Sequence, residues 1–150
     1  MRMRFRFRLE SILKLREHEE ELAREKLLRI RTEISDLEER LSNLEFEESK
    51  YKRKMMESMR KGVSGGEIRE WILILDLLKM ERDSILNDLR KLRDMEQKAL
   101  DDYLDKRKER KALEKLKERS LRDHLEEIER AERISMDEVA ERRHHWNPSI

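Results

Sequence analysis

The chain has 150 residues, of which 49% are Asp, Glu, Lys or Arg and only 36% are hydrophobic, and its net charge is +1. That is too little apolar material for a compact globule of this length, but enough for a coiled coil, which buries two positions in seven. Cysteine is absent, which excludes a disulfide framework and a cysteine-ligated metal and fits a cytoplasmic protein, and no stretch approaches the ~20 apolar residues of a membrane-spanning helix.

The opening residues alternate arginine (Arg2, Arg4, Arg6, Arg8) with Phe5 and Phe7. No apolar run follows, so they do not read as a secretory signal, and Glu10 with the acidic run Glu17, Glu19, Glu20, Glu21 argues against a transit peptide. The two phenylalanines either cover the far end of a later helix or belong to a frayed terminus. Aromatics between arginines also suit single-stranded nucleic acid, but a chain without net basic excess argues against that use.

Helix one is predicted over about residues 9–60, with Ser11 a candidate N-cap. Leu9, Leu13, Ala23, Leu27, Ile30, Ile34, Leu37, Leu41, Leu44, Tyr51 and Met55 share one frame of alternating three- and four-residue steps. This is one narrow apolar stripe, able to bury itself against only one partner helix. Glu20 with Arg24 and Glu48 with Lys52 support the exposed faces at helical spacing.

The pattern stops at Arg60-Lys61-Gly62-Val63-Ser64-Gly65-Gly66. A glycine supplies the left-handed conformation common at helix C-termini, and Ser64 or Gly66 is placed to cap the next helix. The turn is predicted over about 61–66, helix two over about 67–143, stopped by Asn147 and Pro148, and a tail over 144–150. Ile68, Trp71, Leu75, Leu78, Ile85, Leu89, Leu92, Ala99 and Tyr103 resume the heptad.

The fold class that follows is all-α: a long antiparallel two-helix coiled-coil hairpin, the second helix longer than the first, forming a single coiled-coil domain. Pairing across one seam places Leu41 near Ile85, Ile34 near Leu92 and Leu27 near Ala99. The charged exceptions then line up too. Arg16 and Glu20 fall near Lys106 and Arg110, and Glu48 falls near Arg82. Such polar layers fix register, or are simply where a solvated coiled coil tolerates charge. Past Tyr103 the frame of Leu113, Leu116, Leu121, Leu125, Ile128 and Val139 shifts, as a stutter or an unpaired helix would produce.

Two regions are candidates for function. At the start of helix two, Ile72, Ile74, Leu77 and Met80 fall largely outside the seam that holds Trp71, Leu75 and Leu78, which predicts an exposed docking patch. From Lys106 to Arg143, basic residues (Lys106, Arg107, Lys108, Arg110, Lys111, Lys115, Lys117) either contact an acidic partner or pair with the helix's own Glu109, Glu114 and Glu118. His144-His145 lacks the spacing and the companions of a helical metal site. There is no phosphate loop and no nucleophile elbow, and the carboxylates sit on solvated faces where nothing tunes them for catalysis. No catalytic residue, cofactor or metal is therefore assigned.

Certain residues resemble a known family. Phe5-Arg6-Phe7-Arg8-Leu9, then Ile12-Leu13 and Arg16-Glu17-x-Glu19, are similar to the start of the flagellar FliJ proteins. So is a glycine break before an apolar second helix. The most specific likeness is Arg110-Lys111-Ala112-Leu113-Glu114-Lys115-Leu116-Lys117-Glu118-Arg119, then Glu132 and Ser135-Met136-Asp137-Glu138-Val139-Ala140. The resemblance implies a stalk-like cytoplasmic component of flagellar type III protein export, peripheral at the flagellar base on the inner face of the cell membrane. Its implied partners are the hexameric export ATPase, the cytoplasmic part of the export-gate membrane protein, and export chaperones. Arg110, Lys111, Leu113, Lys115, Leu116 and Arg119 would meet the ATPase ring. Trp71, Ile74 and Leu78 would meet the gate, whereas Glu81 and Ile85 match the family's contact positions poorly.

Other classes make different predictions. A generic structural coiled coil would dimerise through one continuous helix approaching ~200 Å, against ~115 Å for a hairpin. A nucleic-acid-binding arm would show strong salt-sensitive affinity. The hairpin reading expects a monomer when free, with no nucleic acid and no membrane insertion.

Overall fold

The structure, a computed structural model, describes residues 4–146, with side chains to 144. Arg2, the His145 side chain and the Asn147-Pro148 stop lie outside the described residues. Two helices account for the fold, α1 (Glu10–Arg60) and α2 (Gly65–Trp146). They run antiparallel and pack against each other, with α2 the longer, as the heptads predict; the continuous-helix alternative does not occur. Among the described residues, no helix is long and apolar enough to cross a membrane.

The turn is built as its residues dictate. Gly62 has φ 74°, in the left-handed region that a side chain disfavours, and its N–H reaches the Met59 carbonyl at 3.3 Å. Ser64 caps α2. Its hydroxyl oxygen accepts from the Glu67 N–H at 3.4 Å, and its carbonyl accepts from the Glu67 and Ile68 N–H groups at 3.2 and 3.3 Å. This cap explains why α2 starts at Gly65 instead of Glu67, and why Gly66 lies inside it. At the other end Glu10 opens α1, so Ser11 falls in the first turn and does not cap it.

The contacts divide the chain into two compact units, Leu22–Leu104 and Met1–Glu21 with Asp105–Ile150. In the first unit, Leu27, Ile30, Ile34 and Leu44 of α1 bury with Ile85, Leu89 and Ala99 of α2, and Leu37, Leu41, Leu78 and Leu92 pack against them. The predicted facing pairs thus share one cluster. Each fully buried leucine or isoleucine contributes about 1.5–3 kcal/mol.

Charge enters this seam most deeply at one layer. Glu48 is only 8% exposed, and Arg82 donates from Nη1 to its two carboxylate oxygens at 2.9 and 2.8 Å. Lys52 stands 3.5 Å away on the same helix. Half-buried Glu96, also on the seam frame, meets exposed Arg31 at 3.5 Å, and the exposed pair Arg93–Glu38 (3.3 Å) lies on the rim; both add little by comparison.

Candidate functional surfaces

Within Leu22–Leu104, the start of α2 carries more apolar residues than one seam can take. Trp71, Leu75 and Leu78 are half-buried, and the Trp71 ring packs on Tyr51 with centroids 5.9 Å apart. Ile72 and Ile74 flank the seam and are exposed, as expected; Ile74 is 36% exposed. Leu73, Leu77 and Met80 are exposed as well, up to 69% at Met80. Their steps of four and three repeat those of Trp71, Leu75 and Leu78, offset by two positions. On a helix that offset turns the stripe to the face away from α1. The trio Trp71, Ile74 and Leu78 is therefore split: Ile74 is available at the surface, while Trp71 and Leu78 spend much of their area on the seam. Leu77 and Met80 were expected outside the seam and are exposed; Leu73, which completes the outward stripe, was legible only as part of a second apolar frame overlapping the first.

In the other unit the seam turns polar. Leu13 is 3% exposed, but the α2 positions continuing the three-four frame beyond Tyr103 are Lys106, Arg110, Leu113, Lys117, Ser120 and His124, all half-buried. The packing frame does not shift, although the apolar residues do. Leu116, Leu121 and Leu125 consequently stay exposed. The seam cations keep their places because long stems bury while their charged heads find carboxylates.

Those partners are specific. Arg110 donates from Nε to Glu20 Oε2, from Nη2 to Glu20 Oε1 at 3.2 Å, and from Nη1 to Glu114 Oε2 at 2.8 Å. The Arg110 hydrogen bond, opposed by partial burial, holds the Glu20 carboxyl below its ordinary pKa. Glu20, and then Glu114, make the Arg110 guanidinium hold its proton more tightly. Lys106 Nζ lies 3.9 Å from Glu19. Lys117 Nζ lies 2.8 Å from Glu10 Oε2, an ion pair off the hydrogen-bond direction. Arg16 turns to Glu19 (2.9 Å) and Glu109 (3.6 Å). Glu20 thus meets its expected partner, whereas Lys106 and Arg16 find carboxylates one step off the seam.

The six residues assigned to a ring contact divide accordingly. Arg110 and Leu113 face α1; Lys111, Lys115, Leu116 and Arg119 are exposed. Phe5 and Phe7 are half-buried, and the Phe5 ring lies 5.5 Å from His124, so this segment covers part of α2. Among the described residues, no group of His, Asp and Glu is placed to hold a metal ion.

A family model described as flagellar FliJ protein matches residues 5–149. The chain belongs to the FliJ family. Membership makes it a coiled-coil protein associated with flagellar type III export. A solved structure described as that of a YscO homolog, CT670, from Chlamydia trachomatis is similar over 97% of this chain and 99% of its own. The identity is 19% and the TM-score 0.56, which shows a shared fold. Comparison with curated proteins gave no match.

Proposed function

We propose that this chain is a non-enzymatic, stalk-like component of the flagellar export apparatus that binds the hexameric export ATPase through α2 around Arg110–Arg119. The start of α2, centred on Ile74, binds the cytoplasmic part of the export gate. The chain also assists export chaperones and works as a monomer in the cytoplasm, peripheral at the flagellar base. Family membership supports the setting. The observation that carries the gate contact is the density of exposed apolar side chains at the start of α2, where Ile72, Leu73, Ile74, Leu77 and Met80 fall within nine residues: such a cluster leaves apolar area in water unless a partner covers it.

The action is physical. A two-helix hairpin has no six-fold symmetry, so it cannot touch all six subunits of a ring alike. Unequal contacts give unequal affinity for the subunits' conformations, and that difference is what allows a bound protein to bias them.

Binding of the full chain to purified export ATPase and to the gate's cytoplasmic domain tests this. Ile74→Asp is expected to weaken the gate complex at least ~10-fold and leave the ATPase complex unchanged. Leu116→Asp is expected to do the reverse. A wild-type chain that binds neither partner, or two variants that bind both as well as wild type does, contradicts the reading.

A further inference from the structure

Leu13 is the one buried side chain among the described residues of Met1–Glu21 and Asp105–Ile150. The seam of that unit is Leu9, Leu13, Arg16 and Glu20 on α1 with Lys106, Arg110, Leu113 and Lys117 on α2. Ion pairs across it do the holding: Glu10 with Lys117, Glu19 with Lys106, Glu20 with Arg110, and Glu109 with Arg16. In Leu22–Leu104, by contrast, Leu27, Ile30, Ile34, Leu44, Ile85, Leu89 and Ala99 make one buried cluster. The chain divides into its two compact units where the seam passes from hydrocarbon to charge.

The two kinds of seam differ in what it takes to part them. Separating apolar side chains puts their area in water with nothing regained. Separating an ion pair returns both charges to water, and their hydration repays most of the lost attraction. Pairs open to solvent hold the least, and the side chains of Arg16, Glu109, Lys117 and Glu10 are all more than a third exposed. Salt weakens such pairs further, because mobile ions screen charges that water can reach. The hydrogen bonds within each helix are untouched when the helices part.

We infer that residues 10–21 of α1 form an electrostatic clasp, which opens from residues 105–117 of α2 while the apolar seam of Leu22–Leu104 stays closed, and that ionic strength sets how often it is open. Opening uncovers Leu13 and Leu113 and parts Lys106, Arg110 and Lys117 from the carboxylates of α1. The clasp belongs to the chain by itself, so it stands or falls apart from the function proposed above.

The test is hydrogen exchange of the full chain at neutral pH, read by mass spectrometry of its peptides in about 50 mM and about 500 mM sodium chloride. Peptides within residues 10–21 are expected to lose protection by at least ~30-fold relative to those spanning Leu27–Leu44. At the higher salt they should exchange about 3-fold faster again, with the Leu27–Leu44 peptides unchanged. A merely frayed helix end would also exchange fast, and a second variant separates the two. Glu20→Leu/Arg110→Leu sets hydrocarbon against hydrocarbon at facing seam positions. It should slow exchange over residues 10–21 by about 10-fold and shrink the response to salt. Protection over residues 10–21 equal to that of Leu27–Leu44 overturns the clasp, because the hairpin would then open only as a whole. Fast exchange that ignores either the salt or the double substitution overturns it too, and assigns these residues to simple fraying.

Discussion

Arg82→Met is expected to destabilise the protein by about 3 kcal/mol, because it leaves the Glu48 carboxylate in the seam without the guanidinium that satisfies both of its oxygens. Lys52, 3.5 Å away and well exposed, replaces only part of that interaction. Removing both partners is a different experiment. Glu48→Leu/Arg82→Met buries two apolar side chains at seam positions, and it should recover the loss or exceed wild-type stability, since an ion pair in a seam seldom outperforms well-packed hydrocarbon. Urea unfolding followed at the helical circular dichroism band measures both. A single substitution costing less than about 0.5 kcal/mol would mean that Glu48 is solvated and the layer inert. What the double variant loses is register, because the ion pair is the most deeply buried charged layer in that stretch of seam, and polar seam residues specify alignment at some cost in stability.

Leu89→Ala should cost about 3 kcal/mol. Leu89 is 2% exposed and sits in the cluster with Leu27, Ile30 and Ile34. Its removal costs both transfer energy and the void it leaves, as a helix pair has little other material to collapse into the gap. The matched control is Leu77→Ala, on the same helix but 57% exposed, which should change stability by no more than about 0.5 kcal/mol. The contrast separates seam leucines from surface leucines by the same unfolding measurement. Equal losses at the two positions would mean that α2 is rotated from the orientation described.

The seam was legible in the sequence because a coiled coil is close to a one-dimensional code. Leu27, Ile34, Leu89 and Ala99 announce their burial by spacing alone. The Glu48–Arg82 and Glu20–Arg110 layers were legible for the same reason, since the helix ends and the short turn limit the register. Partner choice within a layer was not. Arg16 and Lys106 have long side chains that reach carboxylates on neighbouring positions, so Glu19 and Glu109 capture them. Nor did hydropathy reveal the path of the seam past Tyr103. It follows Leu116, Leu121 and Leu125, whereas the helix keeps Lys106, Arg110 and Lys117 inward because α1 offers carboxylates there. The same exchange defines the candidate surfaces. It withdraws Arg110 and Leu113 from the contact and leaves Lys111, Lys115, Leu116 and Arg119 outside.

The fold-back of one helix on the other is tested most directly by a cross-link within Leu22–Leu104. The chain has no native cysteine, so Glu38→Cys/Arg93→Cys places the only two thiols at a rim pair whose side chains lie 3.3 Å apart. A short bis-maleimide should join them within one molecule, giving a faster-migrating monomer on denaturing gels at a yield independent of protein concentration. Cross-linked dimers whose yield rises with concentration, or no bridge under conditions where each thiol alone is labelled, would contradict the hairpin.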